Sequence, residues 1–278
     1  MTASALFIPT DSNLRTVKAS RRFHRLALGS ISLLAALIGE AGVLGRDDRV
    51  VPEALLDARE TQLYSATQII VCSGTQGDTH AAGNVAGDLT HGVTVAHIFW
   101  DRDVGHERRG DACRFRVHDR NGRKIDEVAI TRFVTFWRDG PPWLGHDLAM
   151  FELARPPKSV VRPLAIATSN ISVGQELLVV AFHFDVTPAF TKRKTRGRVF
   201  STLGTPDEQV ANIFHTDADV VPMSSGGIFY DANGAAVAMA QGESAAPRAF
   251  DAKRDLNRAI RFDPRFLAEF DDFVAGRR

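Results

Sequence analysis

Short segments rich in β-branched and other apolar residues recur along most of this chain of 278 residues. Turn-forming pairs such as Asn121-Gly122 and Asn233-Gly234 separate them. Short apolar runs bounded by turn residues predict β-strands, and their number here predicts an all-β domain. The predicted strands run from Gln68 to Cys72, Gly92 to Ala96, Cys113 to Val117, Glu127 to Trp137, Leu148 to Leu153, Glu176 to Ala181, Gly197 to Ser201, Asn212 to His215, Gly227 to Tyr230 and Ala235 to Ala240.

Two segments depart from the strand pattern. Three prolines fall within residues 155–163, which makes this stretch the best candidate for a linker between two halves of the domain. Near the carboxyl terminus, Phe266, Leu267, Phe270 and Phe273 recur at helical spacing with acidic residues between them. That spacing predicts a terminal helix over residues 264–274.

The first 42 residues have the pattern of a targeting segment. A basic cluster between Lys18 and Arg25 precedes the uncharged apolar run 26–38. A run of about 13 residues suits the hydrophobic core of a signal peptide and is shorter than the roughly 20 residues needed to cross a bilayer. We therefore expect cleavage after Ala41 and export to the periplasm or the extracellular space. The alternatives are an uncleaved membrane anchor and an amphipathic or disordered extension of a cytosolic protein.

The composition and motifs of the whole chain exclude several classes of function. The net charge is +1, which gives no sign of a nucleic-acid partner. The sequence contains neither a His-Glu-x-x-His zinc motif nor a phosphate-binding Gly-x-x-x-x-Gly-Lys-Ser loop. Adjacent Asp47 and Asp48 lack the spacing of a calcium loop. We expect no metal and no cofactor, a monomeric protein, and membrane contact only if the leader is retained.

Three residues carry the chemistry that the sequence suggests. His97 ends an apolar run, Asp147 begins another, and Ser225 precedes two glycines that permit a tight turn. A serine hydroxyl becomes nucleophilic when an imidazole accepts its proton and a buried carboxylate orients that imidazole. The three residues therefore form a candidate catalytic triad. The structural alternatives are a buried histidine, a carboxylate paired with neighbouring His146, and a plain Ser-Ser-Gly-Gly turn in which Ser224 competes with Ser225.

The surrounding strings resemble those of the trypsin-like (chymotrypsin-fold) serine peptidases. His97 closes a Val-Thr-Val-Ala-His string similar to the family's Thr-Ala-Ala-His, and Asp147 opens an Asp-Leu-Ala-Met string similar to its Asp-Ile-Ala-Leu. Met-Ser-Ser-Gly-Gly at residues 223–227 resembles its Gly-Asp-Ser-Gly-Gly. Within the family, residues 43–49 resemble the Val-Ile-Gly-x-Asp-Asp-Arg segment of bacterial glutamyl endopeptidases. The order His, Asp, Ser is also that of the chymotrypsin-type double barrel.

The resemblance implies a chymotrypsin-like double six-stranded β-barrel with a C-terminal helix. The first barrel would occupy about residues 60–155 and carry His97 and Asp147. The second would occupy about residues 163–262, carry Ser225 and receive the terminal helix. The implied protein is an exported serine endopeptidase that hydrolyses peptide bonds through an acyl-enzyme intermediate and acts on a peptide or protein substrate.

By the same resemblance, the backbone amides of Met223 and Ser225 form the oxyanion hole. Met223 stands where the family has glycine, and Ser224 replaces a frequent aspartate that pairs with the freed amino terminus in trypsin-like zymogens. A side chain at position 223 disfavours the backbone orientation that turns its amide inward. The alternative to an active enzyme is therefore a catalytically impaired, protease-fold protein that binds peptides or proteins.

The implied substrate pocket involves two short stretches, Asp219-Val220 and Ala240-Gln241-Gly242. Glutamyl endopeptidases have a threonine near Val220 and a histidine near Ala240, so glutamate specificity does not carry over. Asp219 suits lysine or arginine through a charge pair, as in trypsin, although an aspartate at this place in the glutamyl branch does not serve that purpose. A preference for small or apolar side chains is the alternative.

Two further features leave alternatives open. Cys72 and Cys113 flank His97 in sequence, and either form a disulfide in an exported protein or remain buried thiols. The basic run from Lys192 to Arg198 suggests a solvated loop that leads into a strand, with an acidic partner or a membrane surface as the alternative.

Overall fold

The computed structural model of the protein describes residues 47–51, 61–62, 64–74, 77–101, 106–136, 146–202, 212–221, 223–242 and 256–278. The predicted leader over residues 1–42, its cleavage position after Ala41 and the turn at residues 139–142 lie outside these ranges. Within the described ranges, no helix combines the length and apolar character needed to cross a membrane.

Six antiparallel strands close the first barrel in the order β1-β2-β3-β8-β7-β6. They are β1 (Thr67–Gly74), β2 (Gly77–Val85), β3 (His91–Thr94), β6 (Cys113–His118), β7 (Lys124–Thr135) and β8 (Ala149–Leu153), and a short ribbon of β4 (Trp100–Asp101) and β5 (His106–Glu107) lies between β3 and β6 in the chain. Strand β6 buries every second residue, Cys113, Phe115 and Val117, as expected for a strand with one face toward a core.

A disulfide joins the first and last strands of this barrel. Cys72 of β1 and Cys113 of β6 are direct partners in the strand register, and their sulfur atoms are bonded. The pairing left open by the sequence is therefore a disulfide in this structure, and it fastens the seam at which the barrel closes.

Six more antiparallel strands close the second barrel in the order β10-β11-β14-β13-β12-β9. They are β9 (Glu176–His183), β10 (Thr191–Ser201), β11 (Ile213–Thr216), β12 (Ile228–Tyr230), β13 (Ala236–Gly242) and β14 (Asn257–Arg261). The two closed six-stranded barrels confirm the predicted chymotrypsin-like fold.

The basic run is part of a strand, so the predicted loop there is wrong. β10 begins at Thr191 and includes every residue from Lys192 to Arg198. In its second half the strand alternates, with Thr195 and Gly197 buried and Arg196 and Arg198 exposed. Arg196 and Arg198 lie on the outer face of the barrel, where a strand tolerates charge, while Thr195 and Gly197 face the core.

The terminal helix α1 (Pro264–Val274) lies against the first barrel rather than the second. Asp263 caps it by accepting a hydrogen bond from the Phe266 backbone amide at 2.7 Å. The buried ring of Phe266 lies 5.3 Å from that of Phe136, and Phe273 meets His91 at 5.6 Å between ring centroids. The expected packing of the helix on the second barrel is therefore wrong. Aromatic spacing predicts the buried face of a helix, not the surface that receives it.

Both barrels contribute to one continuous apolar core. At their boundary the rings of Tyr64 and Tyr230 meet edge to face with centroids 5.4 Å apart. Leu164 follows the proline-containing linker, and its amide donates a 2.8 Å hydrogen bond to the Val85 carbonyl of β2. The loops that carry the candidate catalytic residues meet at this boundary.

Candidate active site

His97 and Asp147 lie next to each other because their strands are neighbours. His97 belongs to a short 3-10 turn, Ala96–Phe99, that follows β3, and Asp147 lies two residues before the start of β8. The two strands pair with Thr94 opposite Ala149. One carboxylate oxygen of Asp147 lies 2.7 Å from His97 Nδ1, and the other accepts a 2.8 Å hydrogen bond from the His97 backbone amide.

This double contact determines the state of the imidazole. A carboxylate oxygen only accepts hydrogen bonds, so His97 Nδ1 carries hydrogen, and in the neutral ring Nε2 keeps its lone pair. The Asp147 side chain is 3% exposed and the His97 side chain is 25% exposed. The carboxylate is thus shielded from solvent while the ring that it orients remains accessible, which suits a general base.

The loop that carries Ser225 is attached to the first barrel at two points. The Ala82 amide of β2 donates a 2.7 Å hydrogen bond to the Ser225 carbonyl. The side chain of Asn84, also in β2, donates a 2.7 Å hydrogen bond to the Gly226 carbonyl. Gly226 has a φ of 85°, and a Cβ there would lie 2.0 Å from the Ala82 carbonyl oxygen. Only glycine therefore fits after Ser225.

The same strand links Ser225 to the region of His97. The hydroxyl of Thr94, three residues before His97, donates a 2.8 Å hydrogen bond to the Ala82 carbonyl. The hydroxyl of Ser225 itself donates to the Gln241 carbonyl at 3.0 Å. Within the described ranges no hydrogen bond joins Ser225 to His97, so this structure contains the His-Asp contact but a different partner for the serine.

The two adjacent serines have different surroundings. Ser224 is completely buried, and its hydroxyl accepts a 3.1 Å hydrogen bond from the Val221 amide. The same oxygen lies 3.2 Å from both the Phe182 carbonyl and His183 Nδ1. Ser225 is only partly buried. The Ser224 hydroxyl is therefore inaccessible to a substrate, and Ser225 offers the accessible one.

The candidate oxyanion loop is built around an unusual residue. Met223 has a φ of 74°, a left-handed conformation that costs a residue with a side chain about 1–2 kcal/mol. The Ser224 amide donates to the Val221 carbonyl at 2.8 Å, which closes the turn beneath Met223. Among the described residues, neither the Met223 amide nor the Ser225 amide has a hydrogen-bond acceptor.

Comparison with known proteins agrees with this geometry. A family model described as a trypsin-like peptidase domain matches residues 76–239 of the sequence. The chain belongs to this family. Its members are peptidases, hydrolases that act on peptides or proteins. The search of curated proteins finds no match.

Solved structures show the same fold at low sequence identity. A Glu endopeptidase in complex with MPD has a TM-score of 0.63 at 14% identity, covering 84% of this chain and 99% of its own. A thermostable serine protease, AL20, from an extremophilic microorganism has a TM-score of 0.57 at 16% identity, covering 78% and 100%. A scabies mite inactivated protease paralogue, S-D1, has a TM-score of 0.61 at 12% identity, covering 78% and 95%. These likenesses support the chymotrypsin-type fold of the peptidase.

The predicted pocket residues lie in or beside the apolar core of the second barrel. Val220 and Ala240 are fully buried in one apolar cluster of that barrel. Asp219 and Gln241 are 2% and 8% exposed. Gly242 pairs with Arg258 at the end of β13. The structure thus brings both stretches to the same barrel, with the apolar side chains of Val220 and Ala240 in its core.

Three residues of this region were missed in the sequence as contributors to the site. Asn84 bonds to Gly226 in the loop that carries Ser225. His183 contacts Ser224, and Arg49 contacts His183. Arg49 belongs to a string that the sequence does single out, the one resembling the glutamyl endopeptidases. Neither Asn84 nor His183 belongs to any motif, because their roles depend on contacts between distant parts of the chain.

Proposed function

We propose that the protein is a serine endopeptidase in which His97, Asp147 and Ser225 act as a catalytic triad. The observation that carries this proposal is the double contact of Asp147 with His97, through the backbone amide and through Nδ1. This contact leaves Nε2 as the proton acceptor. A general base needs such an acceptor, whereas a histidine with a purely structural role does not.

The reaction begins with a rotation of the Ser225 hydroxyl. Its present acceptor is the Gln241 carbonyl, and a change of side-chain rotamer redirects it to His97 Nε2. Such hydrogen bonds are often formed only when a substrate binds. His97 then takes the proton as the Ser225 oxygen bonds to the substrate carbonyl carbon, and the carbonyl oxygen becomes an oxyanion.

The remaining steps return the enzyme to its starting state. The amides of Met223 and Ser225 donate to the oxyanion, and each such donor typically contributes about 10²- to 10³-fold to turnover. His97 gives its proton to the leaving amine, which departs and leaves an acyl-enzyme on Ser225. A water molecule, deprotonated by His97, attacks the acyl carbon, and the Ser225 oxygen leaves with that proton from His97 as the acid product forms.

A test of this function uses the leader-free protein and a mixed peptide library, with cleavage products identified by mass spectrometry. Wild-type protein should release internal fragments, whereas Ser225→Ala and His97→Ala should release none. An ester substrate should give a burst of the first product that matches the enzyme concentration, because the acyl-enzyme accumulates. Cleavage that persists in Ser225→Ala would exclude the proposed nucleophile.

A second candidate function is peptide or protein binding without hydrolysis. The observations in its favour are the Ser225 hydroxyl bonded to the Gln241 carbonyl and the left-handed backbone of Met223. If the protein only binds, peptides recovered from the library would be intact and would bind equally well to Ser225→Ala. Fragments released by wild-type protein alone exclude this function.

The same library addresses specificity. We propose that glutamate is not preferred as the residue before the cleaved bond, since Val220 and Ala240 are apolar where glutamyl endopeptidases have a threonine and a histidine nearby. Cleavage after small or apolar residues would agree with these two side chains, and cleavage after lysine or arginine would assign the selecting role to Asp219.

We also propose that the protein is exported. The basic cluster and apolar run before residue 42 support this, and so does the Cys72–Cys113 disulfide, because disulfides persist in oxidising compartments. Mass spectrometry of the mature amino terminus provides the test. A start near Gly42 supports cleavage and release, whereas a protein that begins at Met1 or Thr2 and is recovered with membranes supports an anchor.

A further inference from the structure

A short segment before the first barrel lies across the second barrel. We define residues 47–51 as the clip. Val50 pairs with Lys194 of β10 in an antiparallel bridge, with backbone hydrogen bonds of 3.0 and 2.9 Å. Thr195 of β10 donates a hydrogen bond from its hydroxyl to Asp48. The clip is therefore fixed to the strand that neighbours β9, at the end of which His183 lies.

Arg49 projects from the clip into the interior. Its side chain is 4% exposed although it carries a full charge. The guanidinium donates to both carboxylate oxygens of Asp47 at 2.9 and 2.8 Å and to Asp185 at 2.8 Å. These contacts offset the cost of removing the charge from water. The remaining contact is the informative one, because it is directed at a neutral side chain.

That contact runs from Arg49 Nη1 to His183 Nδ1 at 3.0 Å. Arginine only donates hydrogen bonds, so His183 Nδ1 accepts and carries no hydrogen. Burial, together with the nearby Arg49 charge, lowers the pKa of His183 to about 3, so the ring is neutral over the working range of a peptidase. Arg49 thereby determines both the tautomer and the orientation of this ring.

His183 contacts the residue between the two candidate oxyanion donors. Its Nδ1 lies 3.2 Å from the hydroxyl of Ser224, whose single hydrogen has two acceptors within 3.2 Å, this Nδ1 and the Phe182 carbonyl. The Ser224 oxygen also accepts a hydrogen bond from the Val221 amide. The Ser224 amide donates back to the Val221 carbonyl. These contacts close the turn that carries Met223, and Met223 holds a left-handed conformation that needs support from its surroundings.

We propose that Arg49 is a positioning residue that acts through His183 and Ser224 to hold Val221 and residues 223–225 in the conformation that presents the oxyanion amides. The inference rests on the proposed peptidase function. It makes the docked clip a condition for full activity, although no residue of the clip touches the substrate. Because an oxyanion hole serves the transition state, loss of Arg49 should lower kcat and leave KM nearly unchanged.

The first test compares kcat and KM of wild type, Arg49→Met, Ser224→Ala and the double variant. Methionine keeps the length of the arginine stem and removes the charge. The kcat of Arg49→Met should be roughly 10- to 100-fold below that of wild type, a loss no larger than that expected from removing one oxyanion donor. Its KM should stay within about twofold of the wild-type value. Arg196→Met is the matched control, since Arg196 is an exposed arginine of β10 paired with Glu176, and it should keep wild-type kcat.

The double variant distinguishes a relay from a purely structural clip. If Arg49 acts through Ser224, Arg49→Met should cost little further kcat once Ser224 is alanine, because the two residues share one route. Additive losses in the double variant would overturn the relay. Wild-type kcat in Arg49→Met, or in Ser224→Ala should Arg49→Met fail to fold, would overturn the proposal as well.

A second readout does not depend on catalysis. Hydrogen exchange of the peptide that spans residues 221–227 should be faster in Arg49→Met than in wild type, while the strands of the first barrel should be unchanged. Unchanged exchange at 221–227 would contradict the proposal. If wild-type protein hydrolyses nothing but this exchange difference is present, the peptidase assignment fails while the link from Arg49 to the loop stands.

Discussion

The side chain of Asn84, in the first barrel, donates a 2.7 Å hydrogen bond to the carbonyl of Gly226, in the second barrel. The same amide group also donates to the Val93 carbonyl at 3.3 Å, and its oxygen accepts a 2.8 Å hydrogen bond from Thr67. Asn84 is fully buried. One side chain thus joins the strand before His97 to the loop after Ser225.

Asn84→Ala should therefore lower both stability and turnover. The substitution leaves buried polar groups without partners, which costs about 1–3 kcal/mol in the free energy of unfolding. It also releases the serine loop from β2, so kcat should fall more than KM changes. Urea unfolding and steady-state kinetics measure the two effects. Wild-type stability in Asn84→Ala would show that the contact to Gly226 is not maintained in solution.

Asp147→Asn should lower kcat by roughly 10⁴-fold while the protein remains folded. An asparagine amide would donate to His97 Nδ1, which moves the imidazole hydrogen to Nε2 and removes the base. Steady-state kinetics on a cleaved library peptide give the size of the loss, with Asp119→Asn, in the turn that follows β6, as the control. A loss below about tenfold would mean that the double contact to His97 does not serve catalysis.

Met223→Gly should leave kcat equal to that of wild type or raise it. Glycine adopts the φ of 74° without the penalty that a side chain incurs, and its amide remains available to the oxyanion. Glycine removes backbone strain from the folded state, which stabilises it, but glycine also gives the unfolded chain more freedom, which destabilises the fold. The free energy of unfolding should therefore change by no more than about 1 kcal/mol. A large loss of kcat in this variant would place the oxyanion hole elsewhere.

His183 makes the stability of the protein depend on pH. Its pKa is lowered to about 3 in the folded protein by burial and by Arg49 and Arg193, against the opposing charges of Asp185 and Asp47. In the unfolded chain it titrates near 6.5. Between these values the unfolded state binds more protons, so the free energy of unfolding should fall as pH drops from about 6.5 toward 3, by up to about 1.4 kcal/mol per pH unit.

His183→Asn tests this dependence. Asparagine offers an acceptor oxygen near the position of Nδ1 and does not titrate. Burial also lowers the pKa values of His80 and His118, and those two histidines remain in the variant. The difference in urea-unfolding free energy between wild type and His183→Asn, measured from pH 7 to pH 4, therefore isolates His183. Parallel pH profiles for the two proteins would show that His183 is not held neutral.

Much of the fold could be predicted because most strands carry local signals. The exceptions have physical reasons. β2 (Gly77–Val85) is composed largely of small and polar residues, and two of them, Ala82 and Asn84, bond to the loop of the second barrel that carries Ser225. β14 (Asn257–Arg261) has only five residues, three buried and two half-buried without strict alternation, which is too short for a clear pattern.

The candidate site divides in the same way. His97, Asp147 and Ser225 were predicted because each lies in a short string with its own chemistry. The supporting contacts could not be predicted, since Asn84 and Gly226 are separated by 142 positions and Arg49 and His183 by 134. No local pattern specifies which buried polar residues will meet when two barrels pack. Met223 stands where the family has glycine, which indicates a backbone conformation that glycine favours. Its left-handed φ of 74° is such a conformation.

The most direct measurement is covalent labelling of the leader-free protein with a fluorophosphonate probe, with the modified residue located by peptide mass spectrometry. The probe reacts with serines activated by a neighbouring base. We predict labelling of wild type at Ser225, slower labelling of Ser224→Ala at the same residue, and none of Ser225→Ala. Folded wild-type protein that remains unlabelled, before and after limited proteolysis, would contradict the catalytic triad and favour a protein that binds peptides without cleaving them.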